Sequence, residues 1–318
     1  MAMSSSPDES LVSVILPTCG RPQFLPQAAA SVLSQTYRRL ELLIIDDRPS
    51  ADSTALCQRL AAEDTRVRYL AAGGLGAAGA RNLGIAYARG RLIAFLDDDD
   101  LWYPRKLETQ VALMRAHPWL GLVCSRFDQI DDQGRAAHRG WWRRLRSCLR
   151  PRPRLAGFAA SKLLYCNWLT TSTIMVRQEC LAQCGGFDPA LAVAQDWDLW
   201  LRIAERYPIL ELRERLAAYR RHRQHNSQRF TELRRCEVRL LEKAWERWRG
   251  QRGWARLVLR RRLSWAHYRL SRQLAREGDE PAARRHLARA IALLPLHLRP
   301  LLSLTGAALP LPTQGAEG

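Results

Sequence analysis

Four consecutive aspartates, Asp97–Asp100, come directly after a short apolar segment, Leu92–Leu96. Five apolar residues fit a buried strand and are too few for a helix. Like charges crowded at a strand end repel each other unless a cation lies between them. No histidine or cysteine is nearby, so the side chains offer only oxygen ligands, which suit Mg²⁺ or Mn²⁺. Such sites often complete the metal shell with substrate phosphates, so the pattern predicts a diphosphate ligand.

The same four aspartates also have a purely structural interpretation. They could form a solvated turn and an N-cap for a helix predicted from Pro104, since proline at a first helical position and acids before it favour a helix start. The two interpretations are compatible, and these residues alone do not choose between them.

Apolar and helical patterns alternate along the first hundred residues. The predicted strands are residues 13–16, 41–45, 67–70 and 92–96, and the predicted helices are residues 24–36, 51–62 and 80–88. This alternation predicts an α/β fold with a mostly parallel sheet flanked by helices. In such sheets ligands bind at the carboxyl ends of the strands. Thr18–Arg21, Asp46-Asp47 and Asp97–Asp100 are all expected at that edge.

Length and composition indicate a globular protein. The 318 residues, 47% of them hydrophobic, suffice for one large or two modest domains. No apolar run reaches 18 residues and no basic-then-apolar leader is present, so neither a membrane span nor secretion is predicted, and we expect a cytoplasmic protein. The eight cysteines are scattered, several in apolar surroundings, which predicts reduced thiols and no zinc site.

Charge is distributed unevenly along the chain. Residues 1–134 carry 14 Lys/Arg against 16 Asp/Glu, whereas residues 135–318 carry 36 against 15. The basic half could contact nucleic acid, anionic lipid headgroups or an acidic acceptor. Within it, residues 135–154 combine eight arginines with the pair Trp141-Trp142, a composition typical of membrane-interface or nucleic-acid contacts. A solvated, mobile loop explains that segment equally well.

Three segments together resemble the family 2 glycosyltransferases of the GT-A fold: SVILPTCGRPQFLPQAAASVLSQTYRRLELLIIDDRPS, GAAGARNLGIAYARG and LIAFLDDDDLWYPRKL. That family carries P-T-x-N-R after the first strand, then S-x-x-x-Q-x-Y, D-D after the second strand, A-R-N-x-G and a D-x-D motif. The similarity extends over roughly residues 11–230. It implies an inverting enzyme that transfers a sugar from a nucleotide-diphosphate donor with Mn²⁺ or Mg²⁺.

The resemblance implies that the loop after the first strand and the end of the second bind the nucleotide. Pro17, Cys19 and Arg21 would line the cleft, although Gly20 stands where the family often has asparagine. Asp47 would hydrogen-bond the base. A cap of a helix or turn near residue 50 is the alternative role for Asp47.

Two further motifs would surround the diphosphate. Arg81 and Asn82 would face it, and an arginine fork pairs well with oxyanions. Arg81 could instead be an ordinary helix-surface residue. In the D-x-D equivalent, Asp97 would contact the donor ribose and the metal, and Asp99 would hold the metal. Asp98 is assigned to donor binding. Because four acids are consecutive, the D-x-D motif could also be aligned one residue later.

A later segment, AQDWDLWLR, is similar to the family's E-D-x-D-L-x-x-R motif. The equivalent of Asp196 is the general base that takes the proton of the acceptor hydroxyl, and Gln195 replaces the usual glutamate. Asp198 is expected to pair with Arg202 one helical turn on. A pure N-cap role is the alternative for Asp196.

The segment that begins at Tyr219 is similar to the family's closing Y-R-x-H…S pattern. It makes His222 and Arg220 possible contacts of the diphosphate, with a surface basic cluster as the alternative.

The expected domain organisation has four parts. They are a disordered N-terminus (1–10), a GT-A domain (11–230) with a basic insert (135–160), an α-helical extension (231–300) and a flexible tail (301–318). Within the extension, residues 275–295 resemble one tetratricopeptide-type helical hairpin.

The expected partners follow from the family resemblance and the charge. They are a nucleotide-sugar donor, a glycan or lipid-linked acceptor and an anionic membrane contacted peripherally at its inner face, whereas nucleic acid is not expected. Two other function classes stay open at this point: a nucleotidyltransferase acting on sugar phosphates, and a non-catalytic basic adaptor for membranes or nucleic acid.

Overall fold

A computed structural model describes residues 10–135, 159–221, 230–250 and 254–294. The predicted basic insert lies almost entirely outside the described residues, as do His222, the predicted tail and nearly all of the predicted disordered N-terminus. The chain divides into two compact units, residues 1–225 and 226–318.

The first unit is built on an eight-stranded sheet. Its strands are β1 (Val12–Thr18), β2 (Leu40–Asp46), β3 (Val67–Ala71), β4 (Leu92–Phe95), β5 (Leu101–Trp102), β6 (Leu122–Ile130), β7 (Met175–Arg177) and β8 (Ile209–Arg220). Their spatial order is β3-β2-β1-β4-β7-β6-β8-β5. The pairs among β1 to β4 are parallel, as is β6 with β8, whereas β7 runs antiparallel to β4 and β6, and β5 to β8. The predicted α/β fold with a mostly parallel sheet is confirmed.

The central strands are buried along their length. Every residue of β2 is buried, and in β1 only Pro17 is partly exposed. Strands covered by helices on both faces tend to be continuously apolar, which is why these segments stood out in the sequence. The core joins β1, β2 and β4 to two helices, at residues 25–33 and 106–116.

Seven helices are described in the first unit. They are α1 (Leu25–Leu33), α2 (Ala51–Glu63), α3 (Gly76–Tyr87), α4 (Lys106–Ala116), α5 (Ala159–Tyr165), α6 (Gln178–Cys184) and α7 (Gln195–Arg206). Helix α3 begins at Gly76, four residues before the predicted start at Ala80. The reason is that Asp47 Oδ1 accepts a hydrogen bond from the Gly76 amide at 2.9 Å, which satisfies an amide of the first helical turn.

The β-branched run over residues 170–176 predicts a strand, but its first half does not form one. Thr171–Thr173 form a 3₁₀ turn, and the strand β7 starts only at Met175. The turn is stabilised by local bonds, since the Thr173 amide and hydroxyl both donate to the Thr170 carbonyl.

The strand register brings three polar segments to one edge of the sheet. Thr18 pairs with Asp46 across β1 and β2, and Ile15 pairs with Phe95 across β1 and β4. Pairing continues past the strand ends, because the Leu96 amide donates to the Ile15 carbonyl at 3.1 Å. The residues that follow β1, β2 and β4 therefore lie together at the carboxyl edge.

The described part of the second unit consists of three helices, α8 (Phe230–Arg247), α9 (Trp254–Arg276) and α10 (Glu280–Leu293). Helices α9 and α10 form a hairpin whose turn contains Gly278, at φ +83°, and Asp279, which caps α10 through a bond from the Ala282 amide. Residues 275–295 thus hold the second helix of the hairpin and only the end of the first. No helix in the described ranges is long and apolar enough to cross a membrane.

Candidate active site

The aspartates Asp97–Asp100, called the acid loop below, connect β4 to β5. Asp98, Asp99 and Asp100 are buried, whereas the Asp97 side chain is 28% exposed. Burying carboxylates without partners is costly, so the contacts of this loop show how the fold tolerates it.

The last residue of β1, Thr18, and a residue of the loop that follows it, Arg21, both contact the acid loop. Arg21 places Nη2 at 2.7 Å from Asp98 Oδ1 and Nη1 at 2.5 Å from Asp99 Oδ2. The Thr18 hydroxyl donates to the other oxygen of Asp98 at 2.7 Å. Arg21, predicted to line the cleft, therefore lies directly on the predicted metal-binding acids.

Arg81 reaches the exposed end of the same loop from α3. Its Nη2 lies 2.5 Å from Asp97 Oδ1, and its guanidinium lies 5.5 Å from the centre of the Phe187 ring. The Arg81 side chain is mostly buried, so it is not the surface residue that the alternative interpretation supposed.

Asp100 is held by backbone and hydroxyl donors. Ser172 Oγ donates to its Oδ2 at 2.5 Å, and the Arg220 amide donates to its Oδ1 at 2.8 Å. Both bonds are fully buried, which makes Asp100 the structural anchor of the loop.

Arg220 occupies a different position from the one predicted. Its guanidinium is 0% exposed and donates to the carbonyls of Asp99 (2.8 Å) and Asp132 (2.9 Å) and to Gln27 Oε1 (3.0 Å). Such a buried, bonded guanidinium fixes the backbone of the acid loop and is not presented to a ligand. The role that this geometry supports is positioning of Asp99.

Burial changes the protonation of the acid loop. It raises the pKa of Asp98 to about 6, although Arg21 opposes the shift. It also raises the pKa of Asp100 well above its usual value, with the neighbouring charges of Asp99 and Asp97 adding to the effect. Burial thus opposes the ionisation of these two carboxyl groups, and the bonds to Arg21, Thr18 and Ser172 act in the other direction.

The acid loop fits a hard divalent cation only in part. Asp97 and Asp99 offer carboxylate oxygens, the ligands that Mg²⁺ and Mn²⁺ prefer. Within the described residues, no three His, Cys, Asp or Glu side chains form a group that could hold a metal ion. A site of one or two carboxylates is sufficient when substrate phosphates and water supply the remaining ligands, so the donor set fits a cation that binds together with a diphosphate.

Asp196 is the second residue of α7 and is partly exposed. Its Oδ2 accepts hydrogen bonds from Asn167 Nδ2 at 3.0 Å and from Thr171 Oγ1 at 3.2 Å. Burial raises its pKa, while the charge of Arg81 lowers it and that of Asp97 raises it. Asp196 therefore lies within electrostatic reach of the residues at the exposed end of the acid loop.

The 3₁₀ turn Thr171–Thr173 connects Asp196 to the acid loop. Thr171 donates to Asp196, whereas the next residue, Ser172, donates to Asp100 and accepts a bond from the Asp97 amide at 3.1 Å. Sequence reasoning missed Asn167, Thr171 and Ser172 as site residues. The signal that could have found the turn is the run of four hydroxyl residues over 170–173.

The backbone before Asp196 is in an unusual conformation. Ala194 has φ +61°, and it is the one non-glycine residue with positive φ among those described. An alanine in the left-handed region costs about 1 to 2 kcal/mol. Strain of this kind persists where the surrounding structure enforces it, often at functional sites.

The end of β2 has one buried and one capping acid. Asp46 Oδ2 accepts from Ser53 Oγ at 2.6 Å in the interior, while Asp47 caps α3 through the Gly76 amide. The cap interpretation of Asp47 thus applies to α3, while Ser50 caps α2. Pro17 is partly exposed and Cys19 is exposed, both at the carboxyl edge of β1 beside Asp47.

Asn82 faces a turn between α6 and α7. Its Oδ1 accepts from the Phe187 amide at 2.8 Å and its Nδ2 donates to the Phe187 carbonyl at 2.7 Å. The neighbouring Gly186 has no room for a Cβ because Asn82 Oδ1 lies there. Both polar atoms of this side chain are therefore bonded to the backbone of the turn. The expected pair of Asp198 and Arg202 is present at 2.8 Å.

Comparison with known proteins supports the family resemblance. A sequence model described as Glycosyl transferase family 2 matches residues 13–170. Over 108 residues the chain is 44% identical to the UDP-Glc:alpha-D-GlcNAc-diphosphoundecaprenol beta-1,3-glucosyltransferase WfgD of Escherichia coli. The aligned region covers 34% of this chain and 42% of WfgD. The chain spans less than half the length of the first curated relatives that it matches.

Solved structures share the fold. The S. aureus TarS structure in complex with UDP is 17% identical with a TM-score of 0.65, covering 93% of this chain and 87% of that one. The mannosyltransferase PcManGT from Pyrobaculum calidifontis, in complex with GDP-Man and Mn²⁺, is 20% identical with a TM-score of 0.60, covering 95% and 81%. The fold is GT-A, and residues 13–170 of the chain belong to glycosyltransferase family 2.

Proposed function

We propose that this chain is an inverting glycosyltransferase that moves a sugar from a nucleoside-diphosphate donor to a hydroxyl group of a glycan or lipid-linked glycan. The observation that carries the proposal is that one turn, Thr171–Thr173, bonds both to the acid loop and to Asp196. An acidic, arginine-lined site for a diphosphate and a separate carboxylate for proton transfer are thereby held side by side.

The donor side uses the acid loop and its arginines. Arg21 and Arg81 can pair with diphosphate oxygens through their forks. Asp97 and Asp99 would hold Mn²⁺ or Mg²⁺, which when bound would stabilise the negative charge of the departing nucleoside diphosphate. The PcManGT structure contains Mn²⁺ together with GDP-Man, which supports Mn²⁺ as the first metal to test.

The acceptor side uses Asp196. Its carboxylate would take the proton of the acceptor hydroxyl as the oxygen attacks the sugar carbon from the side opposite the diphosphate, so the configuration at that carbon inverts. A raised pKa brings a carboxylate closer to neutral pH, where a general base works best. Asn167 and Thr171 donate to Oδ2 and the Trp197 amide donates to Oδ1 at 2.7 Å, and these bonds fix the orientation of the carboxylate.

The similar proteins indicate which substrates to test first. The name of WfgD gives UDP-Glc as donor and GlcNAc on a diphosphoundecaprenol lipid as acceptor, and TarS structures contain UDP and UDP-GlcNAc. We therefore infer a uridine diphosphate sugar as donor and a lipid-linked sugar diphosphate as acceptor.

The test is a screen of UDP-Glc, UDP-GlcNAc and GDP-Man with Mn²⁺ or Mg²⁺, in which the released nucleotide is identified. A glycosyltransferase releases the nucleoside diphosphate, and this release should stop when the metal is chelated. Release of pyrophosphate from a sugar phosphate and a nucleoside triphosphate would instead favour the nucleotidyltransferase alternative. Binding of polyanions without any turnover would favour the adaptor.

The second unit carries a basic helix face suited to an anionic membrane. Four exposed basic residues recur every fourth position along α8: Arg235, Arg239, Lys243 and Arg247. This spacing keeps them on one side of the helix. Residues 226–318 hold 19 Lys/Arg against 8 Asp/Glu. A peripheral contact with anionic lipid headgroups would bring the enzyme to a lipid-linked acceptor.

Sedimentation with phosphatidylglycerol vesicles at rising salt tests this contact. Wild-type protein should sediment at low salt and be released as salt screens the charges. The double variant R239E/K243E should sediment several-fold less, whereas R59E/R105E, which makes the same charge change on the first unit, should behave like wild type. Absence of binding at low salt, or equal loss in both variants, would reject the α8 face as the contact.

A further inference from the structure

Arg21 is bonded to the acid that the proposed function assigns to the metal. Its Nη1 lies 2.5 Å from Asp99 Oδ2, while Nη2 lies 2.7 Å from Asp98 Oδ1. Both branches of the guanidinium fork therefore rest on the acid loop. A divalent cation binds carboxylate oxygens at about 2.0 to 2.2 Å, so a metal on Asp99 Oδ2 would lie against a guanidinium of like charge.

We propose that Arg21 is a resident counter-cation that leaves Asp99 only when a nucleoside diphosphate binds, so that metal binding depends on the donor. The inference rests on the proposed function and assigns Arg21 as a positioning residue that acts through Asp99. The metal and the diphosphate then enter as a pair, because the diphosphate oxygens receive the arginine that the metal displaces.

The surroundings of Arg21 allow this exchange. Its side chain is 26% exposed, so it borders the open edge of the sheet. The bonds described for its guanidinium are those to Asp98 and Asp99. Arg220, in contrast, is fully buried and bonded to backbone carbonyls, and Arg81 is mostly buried beneath Asp97. Among the three arginines on the loop, Arg21 has the most exposed side chain and is the one with most room to turn towards a ligand.

Asp98 explains how the arginine stays nearby after it leaves Asp99. Asp98 is fully buried, and its second oxygen is bonded to the Thr18 hydroxyl at 2.7 Å. It can keep one branch of the Arg21 fork while the other branch moves to a diphosphate oxygen, a geometry for which arginine is suited and lysine is not. The second acid of the run thus anchors an arginine and is not needed as a metal ligand.

The proposal predicts strong coupling between metal and nucleotide. In wild-type protein, Mn²⁺ alone should bind weakly, and UDP should strengthen its binding. Because binding free energies are linked, Mn²⁺ should strengthen UDP binding by the same factor. Removing the guanidinium should make Mn²⁺ alone bind about tenfold more tightly or better, since a like charge within about 4 to 6 Å has gone. The coupling factor should fall correspondingly.

The experiment is a titration of Mn²⁺, followed by electron paramagnetic resonance or calorimetry, with and without UDP. The proteins are wild type, Arg21→Gln and Arg21→Lys, with Arg59→Gln on the exposed face of α2 as a control for net charge. We expect tighter binding of Mn²⁺ alone for Arg21→Gln, wild-type behaviour for Arg59→Gln and an intermediate result for Arg21→Lys. Arg21→Met is the second charge-removing variant if Arg21→Gln does not fold, as judged by thermal unfolding.

The outcomes separate this proposal from the proposed function. Equal affinity of wild type and Arg21→Gln for Mn²⁺ alone would overturn the role of Arg21, and metal-dependent turnover would then still support the glycosyltransferase. Turnover that needs no metal, with no Mn²⁺ binding to any variant even in the presence of UDP, would overturn both the metal assignment and the role of Arg21. Sugar transfer would then have to proceed without a metal.

Discussion

Glu237 of the second unit and the acid loop of the first unit differ in how their buried charge is compensated. In the second unit, Glu237 of α8 is 2% exposed and contacts Arg234 at 2.9 Å, together with Arg262 and Arg269 of α9. Burial alone would raise the pKa of Glu237, but Arg262 and Arg269 bring it below its usual value. Its charge is matched by one partner on its own helix and two on α9.

Three acids of the first unit are less fully compensated than Glu237. The pKa values of Asp98, Asp100 and Asp196 are all raised, chiefly by burial, although Asp98 meets Arg21. Strongly perturbed acids that meet at an open sheet edge are typical of sites where charge is exchanged with a ligand. The comparison indicates that a buried charge does not by itself mark a site, and that the partners around each acid have to be considered.

The largest effect on stability is expected for Glu237→Ala. The substitution leaves three arginines around the site without their acid, and breaking one side of a buried ion pair costs about 3 to 5 kcal/mol. Chemical denaturation should show this loss in the free energy of unfolding of the second unit. A loss below about 1 kcal/mol would mean that Glu237 is not a charge-matched structural acid, and the contrast with the acid loop would fail.

The matching change in the first unit, Asp99→Asn, should act on catalysis and not on stability. Loss of one group that stabilises a developing anion typically lowers the rate by about 10² to 10³. We expect that loss in kcat/KM, with weaker binding of UDP in the presence of Mn²⁺ and a nearly unchanged unfolding midpoint. Unchanged turnover would remove Asp99 from the site.

A smaller effect is expected for Asp98→Asn, and its sign depends on pH. The pKa of Asp98 in the folded protein is about 6, above its usual value of 3.8, so this group favours folding at low pH and that contribution is lost as pH rises through about 6. Relative to wild type, the variant should gain about 2 to 3 kcal/mol of stability between pH 4 and pH 7.5. Denaturation curves at the two pH values measure it, and a relative loss with rising pH would contradict the assignment.

The smallest effect is expected for Asn167→Leu. The hydrogen bond from the Asn167 side-chain amide to Asp196 Oδ2 favours the ionised form of the base. Removing this hydrogen bond should therefore raise the pKa of Asp196 further. Because the base must be ionised, the acidic limb of the profile of kcat/KM against pH should move up by about half a unit to one unit. Thr170→Val, in the same segment, should leave the limb in place. If kcat fell while the acidic limb of the pH profile stayed in place, Asn167 would contribute only to packing and not to the pKa of Asp196.

The central strands and their polar ends could be predicted from the sequence. Parallel strands buried on both faces are continuously apolar, so β1, β2 and β4 were recognisable, and strand direction alone places Thr18, Asp47 and Asp97 at one edge. The strands are recognisable from the composition of short segments. The shared edge then follows from the rule that parallel strands have their carboxyl ends on the same side of the sheet.

The residues that complete the site could not be predicted because their roles depend on distant contacts. Ser172 meets Asp97 and Asp100 across more than 70 positions, and Arg220 reaches the Asp99 carbonyl across 121. Nothing in the local sequence distinguishes a basic residue that faces a ligand from one that is enclosed by backbone carbonyls. The bond of Asn82 to Phe187 could not be predicted for the same reason, since the two residues lie 105 positions apart.

The most direct test of the whole account compares Asp196→Asn with wild type in two assays on the same preparation. Asparagine keeps the shape of the side chain but cannot accept the proton of the acceptor hydroxyl. The account predicts that binding of UDP with Mn²⁺ stays within about twofold of wild type, while sugar transfer falls by about 10² to 10⁴. Near-normal transfer by Asp196→Asn, or loss of nucleotide binding in parallel with transfer, would contradict the claim that the acid loop binds the donor and Asp196 activates the acceptor.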